Sequence, residues 1–188
     1  AASRYWRITG AFTDIHQLAV LGDEVWIACR ATGLYKVNPR ISLVAQKQTV
    51  TGYRTANFDN CNGVHVGYAG KIWALGNDAL ASYNGSVWTV YDSTTTPAFT
   101  TTNYNNVSYF KVDEESAADQ MLFVYKRSLV NTKLGFWWST ASTVVETGAY
   151  AGETTYRSAK TNKCNLVVAN GYYWFNDTYR FPFGSTAT

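Results

Sequence analysis

The chain has 188 residues and a formal net charge of +3, with 15% charged and 16% aromatic residues. An average globular protein has about 25% charged residues, and the longest basic run here is the pair Lys126 and Arg127. This composition predicts one folded, β-rich domain with uncharged polar loops, and it excludes a disordered chain. It also argues against nucleic acid and anionic membranes as partners.

The first predicted strands occupy residues 16–46, where short apolar runs alternate with turn residues. They read HQLAVL (16–21), EVWIAC (24–29), GLYKVN (33–38) and ISLVAQ (41–46). The second run is almost continuously apolar, which indicates a strand buried on both faces. The third alternates apolar and polar residues, as a half-exposed strand does, and no segment shows helical periodicity.

The same order of strands returns in the next part of the chain. The predicted strands read GVHVGY (63–68), KIWALG (71–76), ALASYN (79–84) and SVWTVY (86–91). Ile72 follows Val25 by 47 residues, and each is followed by a tryptophan. This is an internal repeat, and it determines the predicted architecture.

Two further repeats are degenerate and are identified by spacing and apolar pattern. Met121 follows Ile72 by 49 residues, and Leu166 follows Met121 by 45. The predicted strands are VSYFKV (107–112), QMLFVY (120–125), SLVNTK (128–133) and FWWSTA (136–141), then RSAKT (157–161), NLVVAN (165–170), GYYWFN (171–176) and YRFPFG (179–184).

Four-stranded units with a period of about 47 residues are typical of β-propeller blades. We therefore predict a single all-β domain, a four-bladed propeller with four antiparallel strands in each blade. Trp26 and Trp73 are predicted to fill the space between adjacent blades. Two packed sheets with the same strands in meander order are the alternative architecture. The predicted blades span residues 11–50, 60–92, 105–142 and 155–183, and residues 1–10 are an outer strand that closes the ring against the last blade or pairs outside it.

The stretches VWIACRATGLYKVN and IWALGNDALASYNG resemble the propeller repeats in the sensor regions of two-component regulators. The resemblance covers the first two units well and the last two poorly, and it implies a blade fold without implying a function. The overall composition is similar to that of small bacteriophage virion proteins. The blade length is similar to that of small propeller lectins, although no sugar-site motif of that group matches.

Catalytic and metal-binding patterns are not evident in the sequence. His16 and His65 are the two histidines, both on predicted inner strands near the axis, where a metal site is conceivable but a structural role is favoured. The acidic run at residues 113–115 is interpreted as a solvated turn. No phosphate-binding loop, GxSxG elbow or HExxH motif occurs. We therefore predict no catalytic residue, no metal and no cofactor, and a protein that is not an enzyme.

The three cysteines and the hydropathy pattern predict where the chain resides. Cys29, Cys61 and Cys164 are widely spaced and form no CxxC pair, so we expect buried thiols rather than disulfides or a zinc site. No apolar run reaches the roughly 18 residues of a membrane span, and the first residues have no signal-peptide core. The prediction is synthesis in a host cytoplasm and a final location in a virion.

Three predicted connectors between units are long: residues 49–62, 93–106 and 142–156. Loops near or beyond about 12 residues in a compact domain are usually functional or disordered. Tyr and Arg among small polar residues make good contact surfaces, but the aromatics of ordinary loops can also tuck beneath them. The candidate protein-contact residues are Tyr53, Arg54, Phe58, Phe99, Tyr104, Tyr150 and Tyr156.

These observations favour a non-enzymatic protein-protein interaction module. We predict a structural or adsorption component of a bacteriophage particle, whose partners are other virion proteins or further copies of the same chain. The alternative is a carbohydrate-binding propeller lectin, in which Trp88, Trp137 and Trp138 would stack on sugars.

Overall fold

The structure is a computed structural model that describes residues 7–52, 58–77, 79–92, 107–112, 120–126, 132–138, 143–146, 166–169, 172–175 and 179–182. Side chains are described in the first three ranges and at Phe110 and Val112. The described residues form β-strands joined by turns, with one short 3-10 turn at Tyr68–Gly70 and no α-helix. The prediction of an all-β fold is confirmed for this part of the chain.

The described strands form four separate antiparallel sheets, each a meander in which consecutive strands are neighbours. The first sheet contains β1 (Ile15–Leu21), β2 (Glu24–Cys29), β3 (Gly33–Val37) and β4 (Gln46–Lys47). The second contains β5 (Gly63–Val66), β6 (Ile72–Leu75), β7 (Leu80–Tyr83) and β8 (Trp88–Tyr91). The third contains β9 (Val107–Val112), β10 (Gln120–Lys126), β11 (Thr132–Trp138) and β12 (Thr143–Glu146), and the fourth contains β13 (Leu166–Ala169), β14 (Tyr172–Phe175) and β15 (Tyr179–Pro182).

The first and second sheets pack face to face through the alternate residues of their strands. Trp26, Ala28 and Leu34 of the first sheet share one buried cluster with Val64 and Ile72 of the second. The Trp26 side chain is 1% exposed, and its ring lies 5.8 Å from the ring of Tyr83 and 6.2 Å from that of Trp88. Trp26 therefore fills the space between neighbouring sheets, as the repeat predicts.

The second and third sheets approach each other most closely at their first strands. A Cβ atom added to Gly63 would lie 2.5 Å from Cβ of Phe110, so glycine is needed for this contact. Phe110 and Val112 are fully buried. The Gln17 side chain also reaches β9, where its Nε2 donates a hydrogen bond to the Phe110 carbonyl over 2.8 Å. The strands β1, β5 and β9 thus converge, as inner strands of one assembly do.

The boundaries of several outer strands differ from the predictions. Residues 128–133 were expected as the third strand of the third sheet, and 136–141 as its fourth. Instead, β10 pairs with β11 from Lys126↔Thr132 to Gln120↔Trp138, and the fourth strand is Thr143–Glu146. A seven-pair ladder joins more backbone donors and acceptors than the predicted shorter pairing. The predicted strand at 157–161 lies outside the described residues.

The outer strand of the first sheet is also shorter than predicted, because a turn occupies its first half. The amides of Ile41 and Ser42 both donate to the carbonyl of Asn38, over 3.0 and 2.9 Å. The Asn38 side chain accepts a further hydrogen bond from the Arg40 amide, which is a common turn-forming contact of asparagine. The regular strand is therefore confined to Gln46–Lys47.

The N-terminal segment, from residue 7 onward, lies along the outer edge of the first sheet. Thr9 forms a parallel bridge with Val44, with the Thr9 amide donating to the Leu43 carbonyl (2.8 Å) and the Ala45 amide donating to the Thr9 carbonyl (2.7 Å). Ile8 and Phe12 pack against the buried cluster that contains Ile27 and Tyr35. The remainder of the predicted N-terminal strand, residues 1–6, lies outside the described residues.

Candidate functional site: the loop face

The candidate site lies at the end of the sheets where the inner strands begin. The β2–β3 turn (residues 30–32), the described part of the β6–β7 turn (76, 77 and 79) and the two described ends of the connector between the first two sheets (48–52 and 58–62) meet at this end. We call it the loop face. Its geometry is described for the first two sheets.

Backbone hydrogen bonds hold the connector against both turns. At its beginning, the Gln48 amide donates to the Leu34 carbonyl over 2.8 Å. At its end, the Cys61 amide donates to the Cys29 carbonyl (3.0 Å) and the Asn62 amide to the Leu75 carbonyl (2.6 Å). The described ends of the long connector and the second-to-third strand turns of the first two sheets therefore share one face.

Phe58 does not fit its predicted role as an exposed contact residue. Its side chain is 1% exposed and belongs to the cluster between the first two sheets. Its backbone carbonyl lies so close to Gly33 that a Cβ atom there would be 2.5 Å away. The buried Phe58 side chain thus attaches the end of the connector to the first two sheets. This agrees with the alternative stated above, that the aromatics of ordinary loops pack beneath them.

Polar side chains brace the loop face without concentrating charge of one sign. Nζ of Lys47 lies 2.8 Å from Oδ1 of Asp59, and this pair ties the outer strand to the connector. The two side chains are 35% and 52% exposed, so solvent screening keeps the net stabilisation small. Asn62, which is buried, donates from Nδ2 to Oδ1 of Asn77 over 2.8 Å and joins the connector to the β6–β7 turn.

The two histidines have separate partners. Nε2 of His16 lies 3.2 Å from Nη2 of Arg30, and Nδ1 of His65 lies 2.7 Å from the Val66 carbonyl. A neighbouring guanidinium disfavours a bound cation at His16 through charge repulsion. In the part of the chain that the structure describes, no three His, Cys, Asp or Glu side chains converge to hold a metal ion.

Two cysteine thiols lie beneath the loop face, and neither is activated as a nucleophile. Cys29 and Cys61 are buried and free. Burial is the main cause that raises the pKa of the Cys29 thiol. A hydrogen bond with the Thr32 side chain lowers this pKa, and the charge of the Asp14 carboxylate raises it. Burial raises the pKa of Cys61 from 9.0 to about 12, although hydrogen bonding from the Gly63 backbone acts to lower it. Since the thiolate is the reactive form, both groups are structural.

Cys61 should make the stability of the protein fall at high pH. The folded state holds the neutral thiol with a pKa of about 12, whereas the unfolded state releases the proton near 9.0. The stabilising contribution is therefore complete below about pH 9 and is lost as pH rises toward 12, at about 1.4 kcal/mol per pH unit. Denaturant titrations of the parent and of Cys61→Ala at pH 8 to 11 measure this difference. Parallel curves for the two proteins would contradict it.

Most predicted contact residues fall outside the described residues. Among the sugar-stacking candidates, Trp137 and Trp138 lie in β11, where only the backbone is described. Trp88 is half-buried, and its ring packs 4.9 Å from that of Tyr83, on the surface between the first two sheets. The contact candidates outside the described residues are Tyr53, Arg54, Phe99, Tyr104, Tyr150 and Tyr156.

Sequence reasoning missed the residues that brace the loop face. Asn62, Asn77 and Asp59 act through side chains that meet across 12 to 15 residues of sequence, so no local pattern marks them. The dense turn chemistry of FDNCNG at 58–63 was the available signal. Gln17 was also missed, because a glutamine in an apolar strand gives no indication of the distant carbonyl that it reaches.

The sequence matches no protein-family model and no curated protein. Two crystal structures of the extracellular domain of BT4673 from B. thetaiotaomicron are similar in fold. One describes a one-component system (TM-score 0.51) and the other a hybrid two-component system (TM-score 0.50). In both, the identity is 14%, and the match covers 90% of this chain but 22% of the other.

These comparisons concern fold. The neighbours are extracellular domains of a two-component-type regulator with a propeller-like fold, which agrees with the resemblance of the first two repeats to such blades. This chain spans 22% of their length. The compositional similarity to bacteriophage virion proteins stays a prediction. Within the described residues, no helix has the length and apolar character needed to cross a bilayer.

Proposed function

We propose that the chain is a non-enzymatic protein-protein interaction module that serves as a structural or adsorption component of a bacteriophage particle. The observation that carries this proposal is the loop face, where a long connector is hydrogen-bonded at both ends to strands of the first two sheets. Low charge and high aromatic content support a module whose contacts are made by rings and small polar groups.

The proposed scaffold is a closed ring of four blades. Three findings support it: the four consecutive meander sheets, the convergence of β1, β5 and β9, and the fold similarity to a propeller-like domain. In such a ring, every connector between sheets emerges on the same end, so the connectors at 93–106 and, beyond β12, at 147–156 would extend the loop face.

The loop face is suited to binding because its connector is held at both described ends and the sequence between them carries candidate contact residues. Gln48 and Phe58 fix the connector on either side of Tyr53 and Arg54. Anchored ends reduce the conformational entropy that binding must remove from a loop. Interface energy concentrates in Tyr, Trp and Arg side chains that become buried.

The double variant Tyr53→Ala with Tyr104→Ala should abolish particle association without changing the melting temperature. Each hot-spot truncation is worth about 2 kcal/mol or more, which is about a thirtyfold loss in affinity. The measurement is the fraction of chain that co-sediments with particles from producing cells, together with thermal unfolding of the free chain. Tyr68→Ala is the matched control, because Tyr68 is 44% exposed in the β5–β6 turn at the opposite end of the second sheet.

Three results would contradict the virion role or the assignment of the loop face as the contact surface. A parent chain that never co-sediments with particles contradicts the virion role, and competable signals on a glycan array would then favour the lectin with Trp88 at its platform. Binding of a soluble small ligand without particle association would favour a sensor module, the class of protein whose propeller repeats the first two units resemble. If Tyr68→Ala weakens association and the double variant does not, the contact surface lies on the opposite face.

A further inference from the structure

Two short segments of the first sheet meet at the loop face: the residues just before β1, and the β2–β3 turn. The Arg30 amide donates to the Asp14 carbonyl over 3.1 Å. The Thr13 amide donates to Oγ1 of Thr32 over 3.1 Å, and this hydroxyl donates in turn to the Thr13 carbonyl over 3.4 Å. Hydrogen bonds to the backbone therefore join the start of the inner strand to the turn.

The side chains of His16 and Arg30 add a contact between the same two segments, and its chemistry fixes the state of the imidazole. Nε2 of His16 lies 3.2 Å from Nη2 of Arg30. A guanidinium has only donors and is always charged in proteins. Nε2 must therefore be the acceptor, so the imidazole is neutral in this arrangement and its proton is on Nδ1.

His65, the other histidine of the chain, has the opposite arrangement. Its Nδ1 lies 2.7 Å from the Val66 carbonyl oxygen. A carbonyl only accepts, so Nδ1 donates, and a second proton at Nε2 leaves this hydrogen bond intact. A second proton on His16 instead converts its Nε2 from an acceptor into a donor that faces another donor. Acid should therefore break the contact of His16 and keep that of His65.

The charge near His16 that changes at mildly acidic pH belongs to histidine. Arg30 keeps its charge throughout. The other charged or titratable residues on the elements beside His16, namely the lead-in to β1, the end of β2, the end of the connector, β5 and β9, are Asp14, Cys29, Cys61, His65, Tyr109 and Lys111. Carboxyl groups ordinarily titrate near pH 4, and thiols, phenols and amines above pH 8, whereas histidine titrates near 6.5.

We propose that His16 and Arg30 form a pH-sensitive switch on the loop face. At neutral pH the neutral imidazole accepts from the guanidinium and holds the β2–β3 turn against the start of β1. As the pH falls through the range in which histidine titrates, a second positive charge arises 3.2 Å from the first. The two side chains then separate, and the turn loosens. The stabilising contact is thus complete above this range and is lost below it, which makes the conformation of the loop face depend on pH.

Amide exchange of the isolated chain at pH 7.5 and pH 5.0 tests the switch, with each rate divided by the intrinsic rate of an unstructured peptide at the same pH. Loss of a hydrogen bond to a charged group changes an opening equilibrium by about tenfold or more. We expect protection in residues 13–16 and 29–33 to fall at least about tenfold at pH 5.0. The Arg30 amide is the main reporter, because it is bonded to the Asp14 carbonyl. Protection in β6 and β7 should be unchanged.

Two histidine variants assign the pH response. His16→Gln keeps an oxygen that can accept from Arg30 but does not titrate, so its protection should be the same at both pH values. His65→Gln is the matched control and should lose protection at pH 5.0 as the parent does. Equal pH dependence in the parent and in His16→Gln overturns the inference. A response that disappears in His65→Gln overturns it as well, because the switch would then be the other histidine.

Arg30→Gln tests the contact from the other side, which matters if His16→Gln is unstable. The glutamine amide can donate to a neutral imidazole or accept from a protonated one, so the pH response of residues 13–16 should disappear. An unchanged response in Arg30→Gln contradicts the switch. These measurements involve neither a partner nor a particle, so the switch and the virion role can fail separately.

Discussion

Replacing Trp73 by alanine is expected to destabilise the protein by about 3–5 kcal/mol, the usual cost of truncating a buried large aromatic. The Trp73 side chain is fully buried, and its ring stacks at 5.9 Å on that of Tyr91. The loss is a large share of the roughly 5–15 kcal/mol that holds a domain folded. At about 2–4 °C per kcal/mol for a chain of this size, the melting temperature should fall by about 10 °C. Denaturant unfolding at 25 °C measures the free energy directly.

Trp88→Ala is the matched control for this experiment. It removes the same side chain from a half-buried position at the rim of the cluster. Because part of its surface already contacts water, the loss should be clearly smaller than for Trp73. Equal losses at the two positions would mean that Trp73 is not a core residue.

Gly33→Ala is expected to be the second severe change, although it adds only one methyl group. Gly33 has φ of +98°, a conformation that costs an L-residue about 1–2 kcal/mol. The added Cβ would also lie 2.5 Å from the Phe58 carbonyl oxygen, and relieving such overpacking typically costs about 1–3 kcal/mol more. The expected effect is a loss of about 2–5 kcal/mol in the free energy of unfolding, measured by denaturant titration.

Gly22→Ala separates the cost of the positive φ from the cost of the steric contact with Phe58. Gly22 also has a positive φ, +58°, but a Cβ there would meet nothing within 4 Å. Only the conformational cost of about 1–2 kcal/mol applies. If the two alanine variants lose the same stability, the contact between Gly33 and Phe58 does not constrain the connector. If Gly33→Ala is worse, it should also weaken partner binding, because the displaced segment belongs to the loop face.

The repeat made most of the fold predictable. The runs EVWIAC and KIWALG are apolar at almost every position, and both became central strands, β2 and β6. Periodicity of 47 residues then indicated how many units to expect, and the four sheets follow that division. Apolar runs and repeat spacing can be recognised in the sequence itself, so strands and units can be predicted from them without knowing which distant residues are in contact.

Outer strands and loop aromatics were less predictable. The stretch FWWSTA has strong strand propensity, yet its first three residues joined the third strand because β10 offered a long partner. Phe58 looked like a surface residue among Asn, Asp and Thr, yet it lies in the core. In both cases, a partner distant in sequence decided the outcome, and propensity carries no information about such partners.

The sequence by itself determined the all-β class, the number of units, the central strands and the buried positions of Trp26 and Trp73. Each of these depends on apolar periodicity, which reflects a physical requirement of every strand that has a buried face. The tertiary structure alone decided that Phe58 anchors the connector, that Asn62 and Asn77 meet, and that Leu18 is open where Val64 is covered. These outcomes depend on which sheet packs against which. Equivalent residues in two repeats can therefore differ completely in burial because their neighbours differ.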